Sequence, residues 1–441
     1  MAKQTVFALL DHMKKWLSKK YAFYQQNSRN ELKKESELAK DEDFKAVQIF
    51  IQTIKQHNLA IASYECRAFA RSLMHLEAHL RDKPDDLTMF LTQLQQVYGA
   101  LNEPDYVYGL DAIRKQDPTL EELIHHHQVT GNFQDALACY SSLGRQQKDS
   151  LALRSGMLRC YLEMDQPSTA AMLVKGLMDR DPEDKADLIK YQIESAWNLS
   201  QWQVVEESCP QTTSTDWQTN LGKSLLLAKN DDENGLHEHV AILRKDLMIP
   251  VAAAAMEQGS YRRSYDYLIK LQVLDEIETL SSLKDITEET IEKIFAEWKT
   301  RLTFSQYSLS TLEPVLKVRR ALVEMAINRK QNEAVKVKLK TELSHCWLMS
   351  AKVARKAGQL NKAYNLLLEA QQFSHKEVFI ESAKLSWARD CKTEAITILE
   401  KGIADQFPNL TFGFEKSKME KYKPEALEVC GKAKLLLARY V

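Results

Sequence analysis

The histidines of this sequence offer its best spacing for metal chemistry. His75 and His79 lie at i and i+4, and a helix would present both imidazoles on one face, as a metal site requires. The zinc-protease motif has Glu directly after the first His, whereas this sequence has Leu76, and no third ligand is evident nearby. The tract His125 to His127 cannot converge on one ion, because successive helical side chains point about 100° apart. We therefore interpret these residues as packing or surface histidines, and a helical metalloenzyme built on the first pair stays as an alternative hypothesis.

The triplet Gly222 to Ser224 ends like a phosphate-binding loop. Trp217 stands where such a loop needs its first glycine, and the triplet continues into the helical run LLLAKN without an apolar strand before it. A glycine-rich dinucleotide motif, a kinase catalytic loop and a nucleophile elbow do not occur in the sequence. Adjacent acids, such as Glu121 with Glu122, are typical of solvated helix surfaces. The sequence predicts no catalytic residues, no cofactor and no metal for this chain.

Composition predicts that the elements carrying these residues are helices. The chain has 441 residues, of which only 13 are Gly and 10 are Pro, so turn-forming residues are scarce. Apolar residues recur at helical spacing, as in Leu73, Leu76 and Leu80, and strict alternation is nearly absent. The predicted fold class is all-α.

Charge and cysteine usage limit the partners. The 60 Lys and Arg residues against 61 Asp and Glu residues give a net charge of −1, whereas proteins that bind nucleic acid directly carry a basic excess. No run of 18 apolar residues occurs, so the sequence predicts neither a membrane span nor a membrane partner. Seven scattered cysteines without a CxxC pair are typical of reduced thiols in an intracellular protein.

A helix-hairpin repeat is the most informative pattern in the sequence. Gly358 follows a first helix, and Ala363, Leu367 and Ala370 come after it at +5, +9 and +12 on a second helix. Small residues at these positions let two antiparallel helices approach closely, as in tetratricopeptide repeats. The same offsets recur after other turn positions with a period near 34. The predicted repeat positions are Gly131, Ala136, Tyr140, Asp165, Ala170, Gly259, Trp347, Ala351, Gly358, Ala363, Leu367, Asp390 and Ala395.

The repeats predict how the chain is organised. Degenerate hairpins cannot bury their faces alone, so neighbours must stack, and we expect an α-solenoid of tetratricopeptide- or HEAT-like hairpins. Residues 1–43 are predicted as an N-terminal helix and polar linker, and residues 44–441 as the solenoid, with a sub-boundary near 281–300. Polar stretches predict breaks between helices at residues 25–43, 209–216, 281–290, 328–341 and 408–424.

Basic residues supply candidate contacts for a partner's acidic surface. The run EAVKVKLK at residues 333–340 fits a solvated helix face or loop better than such a contact. The tryptophans, although numerous, are interpreted as packing between helices. The basic pairs kept as candidate contacts are Arg262 with Arg263, Arg319 with Arg320, and Arg355 with Lys356.

Six segments together resemble the FAT domain of the ATR-type checkpoint kinases, a branch of the phosphatidylinositol-3-kinase-related protein kinases. The likeness covers nearly the whole chain and is weakest at residues 25–43 and 281–290. The segments are NLAIASYECRAFARSLMHLEAHL (58–80), NEPDYVYGLDAIRKQDPTL (102–120), AWNLSQWQVVE (196–206), EQGSYRRSYDYLIKL (257–271), EPVLKVRRAL (313–322) and CWLMSAKVARKAGQLNKAYNLLLEA (346–370).

This resemblance implies a helical solenoid that wraps a Ser/Thr kinase domain and lies between it and an N-terminal solenoid. The implied partners are those two regions of the parent protein, an ATRIP-type subunit, checkpoint activators and, in the full-length protein, a second copy. The implied setting is the nucleus, in DNA-damage and replication-stress signalling. Because the kinase motifs are absent from this sequence, the resemblance implies a non-catalytic scaffold or regulatory segment, which is either a natural fragment, a truncated gene product or an engineered piece.

A free-standing tetratricopeptide-type adaptor that binds peptide segments in its concave groove stays as an alternative. Such adaptors have regular repeats and end in a polar capping helix. Here the repeats are irregular and the last helical run, GKAKLLLARYV, ends on apolar residues. This pattern favours a fold that continues beyond the sequence.

Overall fold

The described part of the protein is built from helices. The computed structural model describes residues 2–27, 41–101, 103–114, 117–146, 150–212, 215–255, 261–282, 287–329, 332–373, 376–408 and 424–441. Within these residues all regular structure consists of 22 α-helices and three short 3-10 helices, which confirms the predicted all-α class.

The helices follow one another with short connections. The first eleven are α1 (Ala2–Asn27), α2 (Glu42–Thr53), α3 (Gln56–Glu65), α4 (Phe69–Asp82), α5 (Leu87–Ala100), α6 (Pro104–Ile113), α7 (Leu120–Thr130), α8 (Phe133–Gln146), α9 (Leu151–Glu163), α10 (Pro167–Arg180) and α11 (Lys185–Asn198). The other eleven are α12 (Trp202–Ser208), α13 (Trp217–Lys229), α14 (Glu233–Ala255), α15 (Tyr261–Ser281), α16 (Glu288–Phe304), α17 (Leu309–Asn328), α18 (Glu333–Lys356), α19 (Leu360–Gln372), α20 (Val378–Ala388), α21 (Lys392–Gln406) and α22 (Pro424–Tyr440).

The hairpin turns share one backbone conformation. Gly131 and Gly358 have φ of +78° and +79°, and Asp165 and Asp390 have φ of +59° and +64°. This left-handed region is open to glycine and is tolerated by Asp. After Asp165 the next amide, that of Gln166, donates 3.0 Å back to the carbonyl of Tyr161, the bond that closes a Schellman motif. These four residues therefore end one helix and start the next within two or three residues.

Small side chains lie where the paired helices approach. The repeat alanines are fully buried, and Leu367 is buried beside Ala363 in the core of α18, α19 and α20. Tyr140 lies on Gly156, where an added Cβ would lie 2.3 Å from the phenol oxygen. The small partner residue thus makes room for the large one. The fully buried repeat alanines are Ala136, Ala170, Ala351, Ala363 and Ala395.

One compact unit contains residues 1–130 with 249–265. Its main core lies among α3 to α6 and includes Leu76, Phe90 and Val97. Phe7 of α1 is buried in a second cluster, so the first helix contributes to the core of this unit. The predicted separation of residues 1–43 from the rest of the chain stays a prediction.

A second compact unit contains residues 131–248 with 266–441. It contains successive hairpins, several of which bury apolar faces against the following helices. Cores of this kind lie among α9 to α11, around Leu158 and Val174, and among α18 to α20, around Leu348 and Leu366. A further core joins α20, α21 and α22.

The predicted break at residues 328–341 is much shorter in the structure, because α17 ends at Asn328 and the next helix begins five residues later. Helix α18 begins at Glu333 and runs through most of that stretch. Val335, Leu339 and Leu343 recur every four residues and are buried, so this stretch forms an amphipathic helix although most of its residues are polar. On its other side Lys338 pairs with Glu288 at 3.0 Å, which places part of this basic run against an acidic helix of the same chain.

The remaining predicted breaks are only partly described. Residues 209–216 contain the 3-10 helix Cys209–Gln211. Within the predicted break at residues 281–290, α15 ends at Ser281 and α16 begins at Glu288, where Thr287 and Thr290 form a reciprocal capping box. The residues 28–40 and 409–423, and the predicted turn at Gly259, lie outside the described residues.

Candidate functional site

The two histidines with metal-like spacing are engaged in packing. His75 is 3% exposed, and its Nδ1 lies 2.7 Å from Gln56 Oε1. Burial, with the nearby charges of Lys14 and Arg71, lowers the pKa of His75 to about 4, so the ring is neutral at pH 7. His79 pairs instead with a carboxylate of the following turn. Among the described residues, no three His, Cys, Asp or Glu side chains are arranged to hold a metal ion.

The glycine of the phosphate-loop-like triplet has a packing role. Gly222 is buried inside α13, and a Cβ built on it would lie 2.3 Å from Ile193 Cγ2 of α11. Ser224 Oγ donates back to the carbonyl of Asn220, one helical turn earlier. Gly222 lets α11 and α13 approach closely. Residues 222–224 lie within helix α13 and do not form a loop that could bind a phosphate.

Of the three basic pairs predicted as surface contacts, Arg319 with Arg320 is wrong, because both side chains are buried. Arg319 donates from Nε and Nη2 to the two oxygens of Glu276, at 2.7 and 2.6 Å, and its guanidinium lies 4.9 Å from the ring centre of Trp298. Glu276 is 0% exposed and the Arg319 side chain 4%. A bidentate pair in this setting fixes α15 against α17 through geometry that a single charge cannot supply.

The neighbouring arginine is held on the opposite side of α17. Arg320 donates to Glu313 Oε1 at 2.9 Å and to Ser350 Oγ at 2.5 Å, and its guanidinium lies 4.1 Å from the ring centre of Trp347. Burial alone would raise the pKa of the Glu313 carboxyl, but the charges of Arg320, Lys362 and Lys317 outweigh it and lower that pKa to about 2. The predicted repeat position Trp347 therefore also provides the face on which this cation rests.

Two lysines extend this network to the end of another hairpin. Lys362 Nζ of α19 donates to the carbonyl of Glu163 at 2.7 Å, and Lys317 Nζ of α17 lies 3.5 Å from the carbonyl of Leu162. Lys317 also pairs with the turn residue Asp165 at 3.8 Å. These carbonyls belong to the last turn of α9, where the helix dipole is negative and backbone acceptors lack partners within the helix. The lysines thus cap α9 from outside and join hairpin α9–α10 to α17 and α19.

Beside this junction lies an open groove of about 670 Å³. The turn residues Asp165 and Ser200 form one side, and Lys317 and Glu324 of α17 form the other. Ser200 Oγ donates to Glu324 Oε2 at 2.9 Å, which closes a second contact between a hairpin turn and α17. The groove presents acids, bases and hydroxyls already paired with one another, an arrangement suited to holding helices and not to proton transfer.

Sequence reasoning missed this network, although one signal was present. Glu313, Lys317, Arg320 and Glu324 recur at helical spacing along one face of α17. A stripe of acidic and basic side chains on a helix is normally solvated. The carbonyl of Leu162 and the hydroxyl of Ser200, which contact this stripe, lie more than a hundred residues earlier in the sequence.

The other predicted basic pairs are treated differently by the fold. Arg355 Nε donates to the buried Glu381, and Lys356 lies over the ring of Tyr307, 4.3 Å from its centre. The side chains of Arg262 and Arg263 lie outside the described ones.

None of the described helices combines the length and apolarity that a membrane crossing needs.

Several curated proteins similar to this chain are kinases named ATR. A protein named serine/threonine-protein kinase ATR from Oryza sativa subsp. indica is 29% identical over 435 residues, which cover 87% of this chain and 15% of the relative. The proteins of that name from Drosophila melanogaster and Arabidopsis thaliana are 27% and 28% identical, covering 90% and 79% of this chain. The chain spans about 15% of the length of the curated relatives that it matches.

Among solved structures, the Naa15/Naa10 complex bound to HypK-THB has a chain that aligns over 90% of this protein and 57% of its own length, with 14% identity. Its TM-score is 0.26.

Two family profiles match the sequence. The profile of the M-HEAT region of serine/threonine-protein kinase ATR matches residues 1–126, and this match runs across residue 43. The FAT domain profile matches residues 190–439, more than half of the chain, and includes α17 to α19 with their charged network. The chain belongs to the FAT-domain family of the phosphatidylinositol-3-kinase-related kinases and is similar to the ATR members of that family.

Proposed function

We propose that this chain is a non-catalytic scaffold and regulatory segment of an ATR-type Ser/Thr protein kinase. In this proposal the parent protein acts in the nucleus, in DNA-damage and replication-stress checkpoint signalling. The segment cradles the kinase domain and contacts the N-terminal solenoid. An ATRIP-type subunit, checkpoint activators and a second copy engage it through the full assembly. The proposal assigns no catalytic residue to the chain.

The observation that carries the proposal is the junction between hairpin α9–α10 and helices α17 and α19. Two lysines and a short set of hydrogen bonds connect these helices, whereas each hairpin is held internally by an apolar core. Breaking such a polar contact changes the packing of whole hairpins and leaves each hairpin folded. A kinase domain attached to these hairpins would respond to their packing, which gives the segment a means of regulation.

The proposal can be tested by wedging one hairpin in the parent kinase. Ala363 is fully buried between α18 and α19, so Ala363→Trp forces the two helices apart. Tyr364 is the next residue and is 45% exposed, so Tyr364→Trp adds bulk on the open face of the same helix. We expect Ala363→Trp to change basal or activated turnover by at least about threefold, while the control stays within error. Equal turnover for both variants, with the Ala363→Trp protein folded by circular dichroism, would reject the proposal.

A further inference from the structure

A second groove, of about 500 Å³, lies on the last hairpins of the chain. It is formed by the end of α18, by α20 and by α22, with Tyr307 at one side. Two carboxylates, Glu377 and Glu381, face six cations, so the groove carries an excess of four positive charges. The cations are Lys352, Arg355, Lys356, Lys384, Lys432 and Arg439.

The positive charge of this groove is only partly compensated inside the protein. Lys352 pairs with Glu377 at 2.9 Å, and Arg355 pairs with Glu381 at 2.5 Å. Lys356 and Arg439 are exposed and make no salt bridge with a described residue, and Lys356 has only the ring of Tyr307 beneath it. These two cations are available to an external carboxylate, and a concave site concentrates their field.

The acids of the groove are already paired with its own cations. The Glu381 side chain is 1% exposed, accepts a hydrogen bond from Arg355 Nε at 2.5 Å and has Lys384 Nζ 3.5 Å from its Oε2. Glu377 pairs with Lys352 and also lies 3.7 Å from Lys432. A ligand that enters the groove therefore meets Lys356 and Arg439, and its complementary charge is negative.

Two side chains add apolar surface to the charged rim of the groove. Leu435 of α22 is 74% exposed, and Tyr307 is about half exposed. A leucine this exposed beside a charged groove offers a contact for an apolar side chain of a partner. Positive charge and apolar surface therefore point to a ligand with both carboxylates and an apolar side chain, whereas a polyphosphate has only the charge.

We propose that this groove docks an acidic peptide segment that carries at least one large apolar side chain. Its carboxylates pair with Lys356 and Arg439, and the apolar side chain packs on Leu435. This surface requires only the chain itself and does not depend on the regulatory function proposed above.

The test uses a fluorescein-labelled peptide of repeated Asp-Glu-Leu units, and fluorescence anisotropy with the whole chain at about 50 mM salt. The variant Lys356→Glu with Arg439→Glu reverses two exposed charges without removing an internal salt bridge. Lys175→Glu with Lys401→Glu makes the same change in charge at exposed positions elsewhere in the second unit. We expect the groove variant to weaken binding by about tenfold or more, and the control variant by less than about twofold, because only close charge pairs survive screening.

Two further arms separate the peptide from other anions. Leu435→Ser leaves the charge unchanged and should weaken peptide binding by about fivefold, since it removes apolar contact area. Inorganic polyphosphate is the competing probe and should bind more weakly than the peptide, with no response to Leu435→Ser. Equal loss in groove and control variants, no measurable peptide binding, or tighter binding of polyphosphate would overturn the proposal. None of these results bears on kinase turnover, so the two proposals fail independently.

Discussion

The buried pair of Arg319 with Glu276 gives the sharpest prediction for stability. Arg319→Met leaves the Glu276 carboxylate buried, with only the Gln272 side-chain amide donating to it at 3.0 Å. Glu276→Leu leaves the guanidinium buried, with the carbonyl and ring of Trp298 as its remaining contacts. Breaking a buried pair by removing one partner destabilises a protein by about 3–5 kcal/mol, because an uncompensated charge remains.

The double variant separates the value of the pair from the penalty of breaking it. With Arg319→Met and Glu276→Leu together, neither charge of this pair is left without its partner, and we expect stability within about 2 kcal/mol of the unsubstituted protein. The single losses should therefore be strongly non-additive. Lys336→Met, which removes a surface i,i+3 pair with Glu333, serves as control and should change stability by less than about 0.5 kcal/mol.

Hydrogen–deuterium exchange of the α17 amides is the appropriate assay, because the chain has two compact units and α17 reports on one of them. A loss of about 3–5 kcal/mol corresponds to exchange that is faster by roughly two to four powers of ten. The reasoning would be refuted if either single variant lost less than about 1 kcal/mol of local protection, or if the double variant lost as much as the two singles combined.

Three further predictions concern packing, pH and thiol chemistry. Gly222→Ala should lower the thermal midpoint, with a loss of about 1–3 kcal/mol from overpacking, whereas Gly176→Ala, where an added Cβ meets nothing within 4 Å, should raise it through helix propensity. Burial lowers the pKa of His75 to about 4, so the stability that the protein has above pH 6.5 is lost progressively as pH falls towards 4 and the unfolded state takes up a proton. In thermal melts His75→Asn should flatten this dependence of stability on pH, and an unchanged slope would contradict the prediction. The exposed Cys391 should react rapidly with a disulfide reagent in the native protein. Burial raises the pKa of the Cys346 thiol to about 11, so this thiol should react only after unfolding. The variant Cys391→Ser should therefore remove the fast phase of the reaction.

The sequence predicted the helices and their class because their signals are local. Apolar residues at i, i+4 and i+7 mark a helix without reference to the rest of the chain, and a glycine such as Gly358 marks the turn that follows. The stretch at residues 328–341 misled for the same reason. Polar and charged residues dominate its composition, and the buried Val335 and Leu339 are only two of the eight residues at 333–340.

The charged network could not be predicted, because its partners are distant in sequence. Glu276 lies 43 residues before Arg319, and Glu163 lies 199 residues before Lys362. Nothing in the local pattern tells a buried charge from a solvated one, and solvated charges are far commoner. Resemblance to the FAT domain covered nearly the whole chain, whereas the FAT profile matches residues 190–439 and an M-HEAT profile matches residues 1–126. Both kinds of repeat are built from amphipathic helices with the same 3.6-residue spacing of apolar side chains, so that spacing does not separate them.

The junction that carries the proposed function can be loosened in steps. Lys362→Met removes the bond to the Glu163 carbonyl, Lys317→Met removes the contacts to the Leu162 carbonyl and to Asp165, and the double variant removes both caps of α9. Each substitution replaces a buried cation with an apolar side chain of similar length, which limits the loss of packing.

The most direct test measures turnover of the parent kinase across this series, together with hydrogen exchange at the last turn of α9. The account predicts that turnover changes progressively as exchange at that turn becomes faster, with the largest change in the double variant. A series in which exchange at α9 accelerates while turnover stays constant would contradict the claim that these hairpins regulate the kinase.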